Sequence, residues 1–226
     1  MKIITSIVVS ILVGAGVWYS LSTKDATVPE PTTPPVVAEP ADIQIIAFGD
    51  SLTAGLGLSL NDSCPSQLEI GLRELGYDVD VINSGVSGET TAGNTLRADF
   101  IRAQNPDIVI LGIGGNDALR FLPVQEAEMN LRSTLSTLLS GENPPEVLLL
   151  SIQAPSNAGS VYKSYFDEMY PRLASEFKIP LIPFIVEEVS RNPDLLQSDG
   201  IHPTKRGYEL LVEKYILPAV EVLLVN

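Results

Sequence analysis

Ile45-Ile46-Ala47-Phe48-Gly49-Asp50-Ser51-Leu52-Thr53 is an apolar run that stops abruptly in a small turn carrying an acid and a hydroxyl. A run bounded in this way reads as a buried strand that delivers a loop at its carboxyl end. In open α/β sheets, ligands bind in the crevice at that edge. Gly-Asp-Ser is also good turn chemistry in any protein. The stretch alone therefore admits an ordinary strand-to-helix turn as readily as a functional loop, and the rest of the chain has to decide.

From residue 43 onward, apolar runs alternate with longer amphipathic stretches. Pro65 suits the first turn of a helix that Asp62 or Ser63 would cap and Gly76 would end. A second strand is expected over residues 79–83, then a Gly- and Ser-rich loop over 84–91 and a helix near 92–104. Further strands are expected at 108–113, 147–152 and 181–184. A helix near 124–140 and a last helix from 204 to about 223 complete the pattern. Tyr162, Tyr165, Phe166, Met169 and Leu173 form a stripe at helical spacing, which reads as a core face rather than a cofactor site. Five strands joined by crossover helices give an α/β, doubly wound domain. The unbroken apolar character of the strands says that helices cover both faces of a parallel sheet. Right-handed crossovers then bring the loops 49–53, 84–90 and 112–119 to one edge of that sheet, where the long segment 186–203 joins them.

The balance of 14 basic against 28 acidic side chains, a net charge of −14, argues against a nucleic-acid partner, because phosphate neutralisation needs Lys and Arg. It equally disfavours adsorption of the folded part onto an anionic membrane surface. Cys64 is the single cysteine, so an intrachain disulfide and a cysteine-based metal cluster are both excluded. Its ordinary role is that of a small buried hydrophobe. His202 is the single histidine, which excludes a multi-histidine zinc site. Any histidine-dependent catalysis must use that residue.

At the amino end, Lys2 precedes nineteen uncharged residues, 3–21, with Trp18 and Tyr19 near the far end. As a helix this run would span about 28 Å, close to the hydrocarbon thickness of a bilayer, and the aromatics suit a membrane interface. It reads as an uncleaved anchor, with a signal peptide cleaved near Gly14 and Gly16 as the rival. Residues 22–41 are rich in Pro, Thr and Val and should form an extended spacer reaching up to ~60 Å. Both readings put the chain outside the cytoplasm, periplasmic or at the cell surface if anchored and secreted if cleaved. The expected organisation is an anchor or signal over 1–21, a linker over 22–41 and one enzyme domain over 42–226.

A serine hydroxyl becomes a nucleophile only when a nearby base takes its proton and a third group orients that base. Ser51 supplies the hydroxyl and His202 the only imidazole. Asp199, three residues before His202, is close enough for one turn to hold its carboxylate against the ring. The order Ser, Asp, His is one that triads use. Asp199 and His202 could equally form a local cap pair beside Pro203. A triad also needs donors for the developing oxyanion. Ser87-Gly88-Glu89-Thr90 offers a backbone N–H where glycine permits close approach, and Gly114-Gly115-Asn116-Asp117 offers a side-chain amide just past a strand end. Each signal separately is turn chemistry; four of them at one sheet edge point to a site.

Gly49-Asp50-Ser51-Leu52, Gly88, Gly114-Gly115-Asn116-Asp117 and Asp199-Gly200-Ile201-His202-Pro203 resemble, in order, the four blocks of the SGNH (GDSL) hydrolases. The likeness is strongest to their bacterial multifunctional thioesterase, lysophospholipase and arylesterase branch, through Asn116-Asp117-Ala118-Leu119-Arg120 and Phe184-Ile185-Val186-Glu187-Glu188-Val189. The resemblance implies a flavodoxin-like three-layer α/β/α sandwich with a five-stranded parallel sheet. It also implies Ser51 as nucleophile, His202 as general base and later acid, and Asp199 as the group that orients the ring. The oxyanion hole would be the N–H groups of Ser51 and Gly88 with the Asn116 side chain. Asp50 would support the loop rather than do chemistry. No metal or cofactor is implied. Thr53 stands where a lipase elbow, Gly-x-Ser-x-Gly, would have its second glycine, which argues against the other large serine esterase fold. Two departures bear on specificity: Cys64 replaces the Trp often found before the proline of the first helix, and the loop 153–161 is rich in small residues.

The expected function is a serine esterase acting through an acyl-serine on short- to medium-chain carboxylic esters or lysophospholipids, with thioesters chemically accessible. A monomer acting on a small-molecule substrate is expected. A carbohydrate O-deacetylase working on cell-wall polymer is the alternative, and a catalytically dead binding module the third reading.

Overall fold

The apolar run does become a strand. In the computed structural model, which describes residues 41–225, it forms β1 (Ile43–Gly49), buried over its last five residues. The apolar run over 3–21 and the proline-rich stretch up to residue 40 lie outside the described residues. Among the described residues no helix is long and apolar enough to cross a membrane.

β2 (Val79–Gly85), β3 (Ile108–Gly112), β4 (Glu146–Ser151) and β5 (Leu181–Pro183) complete an all-parallel sheet in the order β2-β1-β3-β4-β5. This is the flavodoxin-type doubly wound order, whose switch point lies between β1 and β3. The expected fold class is what the structure shows. α2 (Cys64–Glu74) packs against α8 (Lys205–Leu211) and α9 (Leu217–Leu224) on one face. On the other face α3 (Thr91–Arg102), α5 (Val124–Leu138) and α6 (Ser160–Phe177) pack in sequence. Continuous apolar strands such as Ile108-Val109-Ile110-Leu111 are buried throughout, as a sheet covered on both sides requires.

The expected caps are present. Ser63 accepts the Ser66 N–H at 3.4 Å, Pro65 sits in the first turn of α2, and Gly76 takes the left-handed conformation beyond its end at φ 94°. Three features differ from the sequence expectation, the first two for evident physical reasons. The last helix is interrupted by a π turn over Val212–Ile216. Pro218 lacks an N–H, and its ring would crowd the carbonyl four residues back; widening the preceding turn relieves both problems. Of the aromatic stripe, Phe166, Met169 and Leu173 are fully buried, but Tyr165 is 56% exposed. It lies one residue, about 100° of helical rotation, off the i, i+3, i+7 face. Finally, the loops at the carboxyl edge contain single-turn helices, α1 (Ser51–Ala54) and α4 (Gly115–Leu119), with α7 (Glu187–Ser190) following β5.

The strand register aligns three glycines at that edge. Gly49 is paired with Gly85 on one side and Gly112 on the other. A Cβ on Gly49 would lie 2.2 Å from the Gly112 carbonyl oxygen and 2.3 Å from Thr53 Oγ1. On Gly85 it would lie 2.2 Å from the Ala54 nitrogen. Backbone atoms cannot give way as a side chain can, so Gly49→Ala is expected to cost about 1–3 kcal/mol. Urea unfolding should show a lower midpoint with an unchanged m-value; an unshifted midpoint would contradict the packing described.

Candidate active site

Asp50 and Ser51 form the turn into α1. The Asp50 side chain accepts the Leu52 N–H at 3.0 Å and its carbonyl accepts the Ala54 N–H at 2.9 Å. The turn stops at Gly55, left-handed at φ 74°, whose N–H returns to the Ser51 carbonyl at 3.1 Å. Ser51 is thereby fixed at the tip of β1 with only 9% of its surface exposed.

The histidine arrives on the segment between α7 and α8. Asp199 Oδ1 accepts the N–H groups of Ile201 (2.9 Å) and His202 (3.0 Å), closing one tight turn. Its Oδ2 lies 2.7 Å from His202 Nδ1, and His202 Nε2 lies 2.8 Å from Ser51 Oγ. Burial acts to raise the Asp199 pKa, but the two backbone N–H groups and the ring outweigh it and hold the carboxyl down at about 2. An ionised carboxylate only accepts, so Nδ1 carries the proton and the Nε2 lone pair faces the serine hydroxyl. The sequence spacing of three residues works because one turn satisfies both Asp199 oxygens.

Two residues that the sequence did not single out hold this segment against α1. Gln197 Nε2 donates to the Leu56 carbonyl (2.8 Å) and the Pro203 carbonyl (3.0 Å). Tyr208, fully buried, donates its hydroxyl to the Leu52 carbonyl at 2.7 Å. A polar side chain in a loop and a tyrosine on a helix carry no pattern that would mark them, because the carbonyls that tie them to the serine loop, Leu56 and Leu52, lie 141 and 156 residues upstream.

Across the edge, Gly88 is left-handed at φ 83° and its carbonyl accepts Arg120 Nη2 at 2.9 Å. Asp117 accepts both the N–H (2.9 Å) and the hydroxyl (2.7 Å) of Thr91. Gly88 and Asn116 thus stand on segments tied together twice, at the ends of β2 and β3 on either side of β1. Arg97 completes the support. Its Nε donates to Glu89 Oε1 at 2.8 Å, its Nη2 to the Ser84 carbonyl at 3.1 Å, and it lies 4.8 Å from the Phe48 ring centroid. Asp117 was visible within Gly114-Gly115-Asn116-Asp117, although its clamp on Thr91 was not. All five residues expected at the site, Ser51, Gly88, Asn116, Asp199 and His202, lie on loops of the same sheet edge. Cys64 is buried, and burial pushes its thiol up to about 12, which leaves it an inert apolar residue.

Residues 47–210 match the GDSL-like lipase/acylhydrolase family. The chain belongs to that family. It is 35% identical over 178 residues to an arylesterase of Vibrio mimicus, a match covering 78% of this chain and 88% of that one. It is 37% identical over 170 residues to thioesterase 1/protease 1/lysophospholipase L1 of Escherichia coli strain K12, covering 75% and 79%. Among solved structures, AlinE4, a SGNH-hydrolase family esterase, aligns with a TM-score of 0.67 at 40% identity, covering 82% of this chain and 99% of that one. The chain is accordingly a hydrolase of the GDSL/SGNH esterase class.

In this GDSL chain the acid of the motif, Asp50, is 1% exposed. Burial raises its carboxyl to about 6, opposed by the Leu52 N–H and by His202 and assisted by the negative charges of Asp117 and Glu89. Folded protein therefore holds this proton up to about pH 6, whereas the unfolded chain releases it near the ordinary carboxylate value of 3.8. Stability must then fall as pH rises through that window and stay lower above it. Relative to Asp50→Asn, wild-type stability in urea should decline by on the order of 2–3 kcal/mol between pH 4 and pH 7. A difference that stays flat over that range would contradict the assignment.

Proposed function

We propose that the domain over residues 42–226 hydrolyses carboxylic esters of short to medium acyl chains, aryl esters and lysophospholipids among them, through an acyl-serine intermediate. The observation that carries this reading is the continuous relay from Asp199 Oδ2 through the His202 ring to Ser51 Oγ, at 2.7 and 2.8 Å. The names of the relatives, arylesterase and thioesterase/lysophospholipase, support the substrate class. Thioesters react by the same steps.

In the first half-reaction Ser51 Oγ attacks the ester carbonyl as His202 Nε2 takes its proton. The carbonyl oxygen becomes an oxyanion, held by the N–H groups of Ser51 and Gly88 and the Asn116 amide. Collapse expels the alcohol, which leaves with the proton from Nε2, and Ser51 carries the acyl group. Water then attacks that ester, again giving its proton to His202, and the acid departs as the hydroxyl reforms. Asp199 stays ionised and stabilises the imidazolium that exists in both steps. One chain supplies every group, so a monomer suffices. The apolar run over 3–21 and the spacer beyond it support an exported domain, anchored or released. In that location acyl-coenzyme A, which is mainly intracellular, is not the physiological substrate.

A fluorophosphonate probe should label the wild-type protein stoichiometrically and leave Ser51→Ala unlabelled and inactive on aryl esters. Asp199→Asn should fold normally and lower kcat by about 10⁴, because the ring is then held in the wrong tautomer. An unlabelled wild type that cleaves no ester would refute the serine mechanism, and full activity in Asp199→Asn would refute the role of that acid.

A further inference from the structure

The loop after β2 closes in a turn whose middle peptide carries the Gly88 N–H. The Glu89 N–H donates to the Val86 carbonyl at 3.1 Å, and Gly88 rather than Ser87 takes the positive φ, 83°. That is the pattern of a type II turn. Type I and type II differ by a flip of the middle peptide, here Ser87–Gly88, so the turn type decides which way the Gly88 N–H points. The peptides on either side are tied down. The Val86 N–H donates to the Gly49 carbonyl at 2.9 Å, next to Asp50, and the Gly88 carbonyl accepts Arg120. Among the described residues the Gly88 N–H itself has no acceptor. An amide left open at the sheet edge is what an oxyanion donor requires.

Arg97 grips both ends of this loop with one guanidinium. At one end its Nη1 and Nη2 donate to the Ser84 carbonyl at 3.2 and 3.1 Å. At the other, its Nε donates to Glu89 Oε1 at 2.8 Å and its Nη2 to Glu89 Oε2. The Glu89 side chain is only 7% exposed. It lies along α3, where a Cβ on Gly93 would come 3.0 Å from its Cγ, and the buried Asn94 adds its Nδ2 at 3.4 Å. A planar fork fixes direction as well as distance. Residues 84 and 89 are therefore held at a set separation and orientation, and the turn between them has its frame.

The same guanidinium stands over the ring of Phe48, two residues before Asp50, so the frame is referred to the strand that delivers Ser51. Charge enters as well. Glu89 is one of the acids whose negative charge opposes ionisation of Asp50. Left unpaired, it would oppose an oxyanion beside Ser51 in the same way. A test of the fork must therefore leave no uncompensated Glu89 charge behind.

We propose that Arg97 is a positioning residue for the reaction: its fork on Ser84 and Glu89 keeps the 86–89 turn in the form that presents the Gly88 N–H to the oxyanion. The inference rests on the assignment above of Ser51 as nucleophile and Gly88 as donor. Two variants of the full-length protein test it. Arg97→Lys keeps a charge opposite Glu89 and loses the fork. Glu89→Gln combined with Arg97→Met removes both charges and leaves neither buried alone. Each is titrated to its end point with the fluorophosphonate probe, which counts competent sites, and then assayed with p-nitrophenyl butyrate as a function of pH. In both variants kcat per titrated site should fall about thirtyfold, short of the cost of losing a donor outright. KM should stay within about twofold, as for an interaction made only in the transition state. The pH midpoint of kcat/KM should not move, because His202 is untouched. A merely structural role would lower the number of labelled sites and leave kcat per site as in wild type. That result in either variant, a fall carried chiefly by KM, or a shifted midpoint overturns the inference. A wild type that stays unlabelled and cleaves no ester brings down the serine mechanism itself. Wild-type activity that Ser51→Ala abolishes, with both Arg97 variants fully active per site, sinks only the role of Arg97.

Discussion

Gly49 runs between Gly85 and Gly112 so closely that the space for even one methyl group is taken by a neighbouring carbonyl oxygen. That close approach at the switch point lets the chain leave three adjacent strands as three separate loops within reach of one another. Ser51 emerges from the central strand, Gly88 from the strand on one side and Asn116 from the strand on the other. Larger residues at the seam would force the strand ends apart, and the loops would then diverge. The remaining supports, Arg120 on Gly88 and Asp117 on Thr91, hold what the glycines allow. Tyr208 and Gln197 do the same for the histidine segment from the other face.

Two aspartates within this edge are driven in opposite directions by their surroundings. Asp199 keeps 44% of its side chain exposed and collects two backbone N–H groups and the histidine ring, so its charge is favoured. Asp50 lies under the loop among other acids, and burial works against its charge. The separation gives each a task. In the proposed mechanism Asp199 is the ionised counter-charge of His202, while Asp50 serves the turn by accepting the Leu52 N–H. Different environments in this way give the same side chain distinct protonation preferences within one sheet edge.

Much of this was legible in the chain because strand signals are local. The run Ile45-Ile46-Ala47-Phe48 reads as a buried strand by composition, and five such runs separated by helical patterns imply the doubly wound sheet. The site was legible for a narrower reason: a single histidine leaves no choice of base, and Asp199 is a turn away from it. What was not legible depends on contacts distant in sequence. Nothing near Tyr208 announces that its hydroxyl meets the Leu52 carbonyl, and nothing near Arg97 announces Glu89 and the Phe48 ring. Tyr165 was drawn into the core stripe by its chemistry although its angular position puts it outside. Phe121 shows the reverse limit, since its left-handed backbone contradicts every local preference of phenylalanine and appears only once α4 is seen to end there.

The central claim is that one loop edge supplies both the attacking oxygen and the groups that receive the developing charge. A crystal structure of the protein inactivated with an alkyl phosphonate ester tests it most directly. The account predicts phosphorus bonded to Ser51 Oγ, with the phosphonyl oxygen 2.7–3.1 Å from the N–H groups of Ser51 and Gly88 and from the Asn116 amide. Phosphorus on another residue, or a phosphonyl oxygen turned away from those three donors, would contradict it.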